Sequence, residues 1–353
     1  MKLNLCSRSI LAWVFRRGAS GVAAGFLVGA GLAVSAVRAS EPAFFEVEDP
    51  AAGSTGTGST VAGSRSRTVM LNSALRDQPS LWLNLFSDVA FEAQRTRFDL
   101  WANGDFAWVG RIEGEPMSEV VFASHGGVVS ARVDRPLEDG NAVYAVAPVA
   151  NGWSVVTELA PEVGAGGCDP AVAPLPPMAG EQLPPATAQN PAMVDVMVVY
   201  TPAAQAVVGG PAATIESQIV DAIASANTAY RNSGVYLTLP RLQQPGDGYM
   251  DEVPLWREQY LADLVVLLTP DTGLCGKAYV MTNSDTGFAP YAYAVVDPRC
   301  LANLSLTHEM GHLMGCQHDR AHAGGPGAYP YSYGYQWCVA TLGFRTLMAY
   351  QCD

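Results

Sequence analysis

Three histidines and one glutamate lie close together near the C-terminal end of the 353-residue sequence. His308 and His312 are four residues apart, so a helix would place both imidazoles on one face, where they can bind one metal ion. Glu309 lies one step round that helix, outside the ligand set, where a carboxylate can take up and pass on a proton. His318 follows and would supply a third nitrogen. Three protein ligands leave one position for water, which is typical of a catalytic zinc site.

The residues between these histidines predict how the third one returns to the metal. Gly315 allows the helix to end in a left-handed turn, which glycine adopts at little cost. Asp319 directly follows His318 and can orient the backbone at the helix end without binding the metal itself. Four of the five histidines in the sequence fall between Ala302 and His322, which argues against a chance match. His322 itself lies outside the pattern and is interpreted as a loop residue.

The run from His308 to Asp319 resembles the extended zinc motif of the metzincin metalloproteases. Thr346-Leu347-Met348-Ala349-Tyr350 is similar to the methionine turn of that family, which implies that Met348 forms an apolar floor beneath the histidines. Tyr350 matches the tyrosine that astacins and serralysins use as an additional zinc ligand; a core aromatic is the other interpretation.

The details of the resemblance point to one branch of that family. Asp319 after the third histidine resembles the reprolysins. The run Val-Asp-Val-Met-Val-Val-Tyr-Thr-Pro from Val194, the run Ala-Asn-Thr-Ala-Tyr from Ala226 and the Met348-Ala349-Tyr350 turn resemble reprolysin-like bacterial enzymes, including peptidyl-Asp metalloendopeptidases. The resemblance covers about Val194 to the end of the sequence.

This resemblance implies an α+β fold: a metzincin-like catalytic domain with a mixed sheet and an active-site helix, preceded by a small antiparallel β prodomain. It also implies one catalytic Zn²⁺ ion and protein or peptide substrates. The expected activity is that of a secreted endopeptidase, made as a precursor, which hydrolyses peptide bonds through a zinc-activated water with Glu309 as general base and then acid.

Substrate recognition is predicted in outline only. The strand around Gly276 to Val280 is expected to pair with an extended substrate. An acidic substrate side chain would need a basic partner, for which Lys277 and Arg345 are candidates; the other interpretation is that both are solvated surface charges.

Two further hypotheses compete with a protease. The sequence ends at Asp353, five residues after Met348, where metzincins usually continue, so we expect either an open pocket or a fragment. An incomplete pocket would suit a secreted zinc-binding domain that recognises proteins without cutting them, but such a domain has no need of Glu309. A structural zinc module does not fit, because structural sites fill all four coordination positions.

Composition and the N-terminus predict the compartment. The net charge of −13 argues against a nucleic-acid partner, which needs clustered Lys and Arg. Residues 1–39 combine a basic start with an apolar run, Gly21 to Ala36, and small-x-Ala patterns ending at Ala36 and Ala39, as in a signal peptide. An uncleaved anchor is the alternative, although the run is short for a span of about 20 residues. We expect a secreted or periplasmic protein with no membrane association after signal removal.

The remaining sequence divides into three parts. Residues 40–160 are predicted to be a propeptide with the β domain, in which residues 51–67 form a flexible lead-in and His125 is a surface or turn residue. Residues 161–192 are a linker rich in Pro, Ala and Gly, and residues 193–353 are the catalytic domain. Strands of the β domain are predicted at Phe106–Arg111, Glu119–Ala123, Val128–Val133, Ala142–Pro148 and Trp153–Leu159.

The catalytic domain is predicted to alternate strands with helices. Helices are expected at Pro211–Asn232, Trp256–Leu261 and Leu301–Gly315. Strands are expected at Val194–Tyr200, Val235–Leu242, Ala262–Leu268, Cys275–Met281 and Tyr291–Val296.

Six cysteines remain after signal removal, and export favours disulfides among them. Cys275 and Cys300 flank the two strands before the active-site helix and are expected to pair. Cys168 lies in the linker, and two hypotheses stay open for it. It either pairs with a cysteine of the catalytic domain and tethers the propeptide, or it is a free thiol that binds the zinc and acts as an inhibitory switch.

Overall fold

A computed structural model describes residues 43–48, 63–72, 74–101, 103–137, 140–159, 192–233, 237–238, 241–245, 253–270, 273–338 and 344–351. Its N-terminal part is one antiparallel sheet of nine strands, arranged in the order β1-β2-β9-β8-β7-β6-β5-β4-β3. The strands are β1 Phe45–Glu48, β2 Gly63–Leu71, β3 Ser80–Phe86, β4 Val89–Leu100, β5 Phe106–Ile112, β6 Glu119–His125, β7 Val128–Leu137, β8 Gly140–Pro148 and β9 Trp153–Leu159.

The sheet curls around an aromatic core. Trp108 on β5 stacks on Phe122 of β6 with ring centroids 4.8 Å apart, and both are fully buried. The curl brings the two ends of the sheet together, since Ala43 forms a bridge to Trp82 on β3. Burying large aromatic side chains in this way is the main source of stability for such a sheet.

All five strands predicted in this part are confirmed, but the sheet is larger than expected. The lead-in predicted at residues 51–67 is wrong for its last residues, because β2 begins at Gly63 and pairs with β9. The Gly and Ser residues that suggested a flexible segment are tolerated because β2 is held between two neighbouring strands. Residues 51–62 lie outside the described part of the chain.

The C-terminal part mixes helices and strands, which confirms the α+β class. Its helices are α1 Pro202–Val208, α2 Ala212–Asn232, α3 Val253–Tyr260 and α4 Ser305–Leu313. Its strands are β10 Ala192–Met193, β11 Val196–Tyr200, β12 Leu237–Thr238, β13 Arg241–Pro245, β14 Leu264–Leu268, β15 Gly276–Ala278, β16 Tyr293–Val296, β17 Gln317–Asp319, β18 Tyr333–Gly334, β19 Gln336–Trp337 and β20 Phe344–Arg345.

The central sheet of this part has the order β13-β11-β14-β16-β15. The first four strands are parallel, and β15 alone runs antiparallel, at the edge. Helices α2 and α4 pack on this sheet through one apolar core. The predicted positions Ile215, Ile219, Ala222, Ile223 and Ala226 of α2 all belong to that core.

The active-site helix begins later than predicted. Residues Pro298–Asn303 form a short 3-10 helix, and Leu304 then adopts the left-handed conformation with φ of 62° before α4 starts at Ser305. A left-handed residue cannot continue a right-handed helix, so the apolar periodicity from Leu301 spans two separate elements. The Cys275–Cys300 disulfide, which is confirmed, joins the residue before β15 to this 3-10 helix.

The N-terminal sheet contacts the C-terminal part at α2. His125, predicted to be a surface or turn residue, instead lies at this contact, with Nδ1 2.7 Å from Asp105 and Nε2 2.8 Å from Glu216. The sequence around His125 contains only turn residues, so it does not predict that this histidine contacts a distant helix.

Among the described residues, no helix is long and apolar enough to cross a membrane.

Candidate active site

Three imidazoles meet at the C-terminal end of α4. The Nε2 atom of His318 lies 3.1 Å from Nε2 of His308 and 3.1 Å from Nε2 of His312. Together they form a group that could hold a metal ion, with one ligand atom from each residue and all three atoms within 4.8 Å of one another. The arrangement follows from the sequence, because the first two lie one turn apart on α4 and the third lies on β17, after the chain has reversed.

Backbone carbonyls orient two of the rings. Nδ1 of His308 lies 2.9 Å from the Leu347 carbonyl, and Nδ1 of His312 lies 2.8 Å from the Cys316 carbonyl. A ring that donates its Nδ1 proton to a carbonyl keeps the lone pair on Nε2, which is the atom that faces the other histidines.

Burial keeps these rings neutral. It lowers the pKa of His308 to about 4, with the hydrogen bond that the ring donates to the Leu347 carbonyl acting in the opposite direction. Burial together with the neighbouring His308 and His318 lowers the pKa of His312 well below its ordinary value. Neutral imidazole is the form that binds metal, and three such donors fit a zinc ion.

Glu309 lies fully buried beside the histidines. Its carboxylate packs against Gly276 on the edge strand β15: a β-carbon at position 276 would lie 2.4 Å from Oε1 of Glu309. The carboxylate therefore occupies the boundary between α4 and β15, and only glycine at position 276 leaves room for it.

Met348 packs against α4. A β-carbon at Gly311, between the two helical histidines, would lie 2.5 Å from Sδ of Met348. Met348 is 6% exposed, and the adjacent Leu347 supplies the carbonyl that orients His308. The turn thus contacts the histidine-bearing helix through both a side chain and a backbone atom.

Gly315 makes the reversal after α4 possible. Its φ is +93°, in the left-handed region, and a β-carbon there would lie 2.5 Å from the Ala328 β-carbon. The prediction of a left-handed glycine at this position is confirmed.

Asp319 joins the histidine loop to the methionine turn. Its Oδ2 accepts the backbone N–H of Tyr350 at 3.0 Å, and its Oδ1 accepts that of Ala321 at 3.1 Å. The same carboxylate contacts Nδ1 of His322 at 2.8 Å. Burial acts to raise the pKa of Asp319, but the hydrogen bonds from Tyr350, His322 and Ala321 outweigh it and lower the pKa below its usual range.

The interpretation of His322 as a plain loop residue therefore misses a structural contact. The ring of His322 also contacts that of Tyr350 at a tilt of 42°, with centroids 4.7 Å apart. The centroid of Tyr350 in turn lies 4.5 Å from that of His318. The three-residue spacing from Asp319 to His322 was the available signal in the sequence. Tyr350 is partly buried beside the third histidine, so it belongs to the surroundings of the site.

The two candidate basic residues lie in different settings. Lys277 points to the exposed side of β15, opposite to the side on which Gly276 contacts Glu309. Arg345, on β20, donates to the Ala349 carbonyl at 2.8 Å, and its charge contributes to the lowered pKa of His308. Of these two basic residues, Arg345 is therefore the one that lies near the histidines.

Two further cysteines of this part, Cys316 and Cys338, are disulfide-bonded, whereas Cys168 lies outside the described residues.

Comparison with known proteins agrees with this site. Residues 190–353 match the reprolysin-type model of metallo-peptidase family M12. The peptidyl-Asp metalloendopeptidase of Stenotrophomonas maltophilia strain K279a is 28% identical to this chain over an alignment 384 positions long. The alignment covers 94% of this chain and 88% of that protein. The enzyme of the same name from Xanthomonas campestris pv. campestris is 31% identical over 188 residues, covering 47% of this chain and 43% of that protein. The part of the chain that carries the three histidines is therefore similar to the reprolysin-type metallopeptidases of family M12, and the chain is a metalloendopeptidase.

Proposed function

We propose that the protein is a zinc-dependent endopeptidase in which His308, His312 and His318 hold one zinc ion and Glu309 transfers the protons. The observation that carries this proposal is the convergence of three Nε2 atoms beside a fully buried carboxylate. A site built only to bind zinc has no use for a buried carboxylate next to its ligands, because burying that group is costly. The same observation argues against a zinc-binding domain that does not cut.

Zinc, once bound, supplies a Lewis acid that polarises the scissile carbonyl and acidifies a water molecule. Glu309 then takes a proton from the attacking water and delivers it to the leaving amine. Its tight packing against Gly276 limits its motion, which keeps the carboxylate close to the reacting atoms.

The edge strand β15 is the proposed docking site for the substrate backbone. Among the strands that the structure describes, it pairs with β16 alone, so its other edge can pair with an extended peptide. Because Gly276 of this strand touches Glu309, a peptide paired with β15 passes directly in front of the catalytic carboxylate.

We further propose that the enzyme cleaves beside aspartate, is exported and is made as a precursor. The names of the M12 relatives support the aspartate preference, and Arg345 supplies a positive charge near His308 that an acidic side chain could approach. The basic and apolar character of residues 1–39 supports export. The N-terminal sheet and the predicted linker after it support a precursor that is cut between the two parts.

Replacing Glu309 by Gln tests the proposal directly. The variant is expected to bind zinc in the same amount as the unmodified protein, because Glu309 is not a ligand, and to lose peptide hydrolysis by at least about 100-fold. Zinc content and cleavage of two peptides that differ only by Asp or Asn at the scissile position are measured for both proteins.

The outcomes separate the parts of the proposal. Hydrolysis by E309Q at the rate of the unmodified enzyme would overturn the role of Glu309. Loss of zinc from E309Q would place the carboxylate among the ligands instead. Equal cleavage of the Asp and Asn peptides by the active enzyme would remove the aspartate preference and leave the peptidase assignment intact.

A further inference from the structure

Helix α2 has a second buried face that its own domain does not cover. Ser217, Asp221, Ala224 and Thr228 recur every three or four residues, so they line one side of the helix. All four are buried, although three are polar. Helix faces of this composition are normally solvated, so another part of the molecule must cover this one.

The covering part is the N-terminal sheet. The hydroxyl of Ser130 on β7 lies 2.7 Å from that of Ser217. Val220 and Ala224 pack with small apolar residues of β5 and β6, which are Ala107, Val109, Val121 and Ala123. This apolar cluster has fewer residues than the core of either part. Such a cluster is typical of an interface between parts that can separate, and not of the core of a single domain.

A buried arginine lies inside this contact. Arg132 on β7 is 5% exposed and donates through Nη2 to Asp134 at 2.8 Å. Its Nε donates to the carbonyl of Ala302 at 2.7 Å, in the 3-10 helix that precedes α4. Glu119 from the sheet and Asp221 from α2 both interact with the same guanidinium.

The charges in this cluster do not balance. One guanidinium bonds the carboxylate of Asp134 and acts electrostatically on the carboxyl groups of Glu119 and Asp221. Within the described residues, Oδ1 of Asp134 and Oδ1 of Asp221 are buried without a hydrogen-bond partner. A buried carboxylate that lacks partners is costly to ionise, so the cluster is most stable when carboxyl protons are retained.

The other cations near Glu119 do not restore the balance. Arg97 is engaged by Asp99 at 2.8 Å and by the carbonyl of Ala224. Arg111 and Arg231 are exposed and line, with Glu119, a cavity of about 290 Å³ between the sheet and the end of α2. Solvent screens exposed charges strongly.

The shifts in acidity agree with this geometry. Burial raises the pKa of Asp221 to about 8 and that of Glu119 to about 7. Arg132 acts against both shifts, and Glu119 adds to the shift of Asp221. Once the sheet leaves α2, both carboxyls face water, where their ordinary pKa is about 4.

We propose that this face of α2 is a proton-dependent docking surface for the N-terminal domain of the same chain, which stays bound while Glu119 and Asp221 are protonated and is released as they ionise.

The direction of the pH effect follows from linkage. Both carboxyls hold their protons more tightly in the docked state, so docking is strongest below about pH 4, where they are protonated in either state. Docking weakens as the pH rises above about 4 and levels off once the pH has passed the pKa values of the docked state, about 7 and about 8. Between its two pKa values, each carboxyl weakens docking by up to about tenfold per pH unit.

His125 forms a second titratable contact in the same interface. It bridges Asp105 on its own domain and Glu216 on α2, and Glu216 also accepts the hydroxyl of Tyr200 at 3.0 Å. His125→Gln therefore serves to separate any contribution of this contact from that of the carboxyl cluster.

The test uses the full chain in the E309Q form, which is expected not to cut itself. A recognition sequence for a site-specific protease is inserted between residues 160 and 167. This position lies before Cys168, so a disulfide at Cys168 cannot hold the two parts together. After cleavage, retention of the N-terminal part on the tagged C-terminal part is measured by size-exclusion chromatography and by dilution from pH 5.5 to pH 8.5.

We expect the parts to elute together at pH 5.5 and the Kd to rise by at least about 100-fold by pH 8.5. Asp221→Asn and Glu119→Gln each keep the size of the side chain and remove its ionisation, so each should reduce the pH dependence by at least about tenfold. The double variant should stay docked at pH 8.5. Glu113→Gln removes an exposed carboxylate from the same domain and should leave the pH profile unchanged.

Three results would overturn the proposal. The first is equal retention of the unmodified interface at pH 5.5 and pH 8.5. The second is a double variant, folded by circular dichroism, that keeps the original pH profile. The third is a profile that disappears with His125→Gln alone, because this would assign the effect to the His125 contact instead.

Discussion

Two glycines, Gly276 and Gly311, allow the side chains around the histidines to pack directly against the backbone. Gly276 lies against the carboxylate of Glu309, and Gly311 lies against the sulfur of Met348. Neither contact leaves space for a β-carbon, so the carboxylate is confined from the side of β15 and the helix rests directly on the methionine turn. Such confinement matters for catalysis, because a displacement of about 1 Å of a reacting group can reduce the rate by about 100-fold.

Gly276→Ala is predicted to displace Glu309 without affecting the zinc ligands. The added methyl group would lie 2.4 Å from Oε1, so the carboxylate has to move away from its position. We expect kcat to fall by about 100-fold, while zinc content stays the same. Steady-state kinetics and metal analysis on the purified variant provide the measurement.

Ala278→Gly is the matched control, because it changes the same face of β15 and loosens the strand without crowding Glu309. It should lower thermal stability slightly and leave kcat within a few-fold of the original value, since a glycine in a strand costs about 1 kcal/mol. If both variants lost activity equally, the integrity of β15, rather than the position of Glu309, would explain the loss.

At the scale of the elements, the sequence predicts what depends on local pattern. The helix that carries His308 and His312, the turn at Gly315 and four of the five strands of the central sheet are signalled by nearby residues. The single strand predicted at Val235–Leu242 is wrong, because the structure has two short strands there, β12 and β13. The start of α4 was misplaced because Leu304 adopts a left-handed conformation that leucine rarely takes and that no local pattern reveals. The second face of α2 was not predicted either, since its Ser, Asp and Thr residues resemble a solvated surface until the distant sheet covers them.

The disulfide between Cys275 and Cys300 is predicted to fix the element that precedes the active-site helix. Its cysteines are 25 residues apart, and a closed loop of this length is worth about 3 kcal/mol in the chain-entropy model. Replacing both cysteines by Ser should therefore lower Tm by roughly 6–12 °C for a domain of this size. Differential scanning calorimetry of the two proteins measures the shift.

Activity at 25 °C should largely survive this change, because neither cysteine belongs to the group of three histidines or takes part in the proposed proton transfer. A Tm equal to that of the unmodified protein would show that the segment is held by its packing alone. A complete loss of zinc binding at 25 °C would show that the disulfide is needed to position α4.

At the scale of the molecule, two separate cores lie on either side of an interface that runs along α2. The aromatic core of the N-terminal sheet and the core around α2 and α4 have no residue in common. The three histidines all lie in the second of these parts, so a metal ion bound there stabilises that part directly. It stabilises the N-terminal sheet only through the contacts of that sheet with α2 and with the 3-10 helix before α4.

Zinc is predicted to raise the Tm of the C-terminal part through these three histidines. At free zinc about 100-fold above its Kd, binding contributes about 2.7 kcal/mol, which corresponds to a rise of roughly 5–10 °C. Calorimetry of the E309Q protein, first stripped with a chelator and then given zinc, measures this rise.

His312→Ala removes one of the three ligands and should abolish the rise in Tm. His322→Ala is the matched control: it removes a nearby histidine that bonds Asp319 instead of facing the other Nε2 atoms, so it should lower Tm but preserve the response to zinc. A response that survives His312→Ala, or that vanishes with His322→Ala, would mean that a different set of side chains holds the metal.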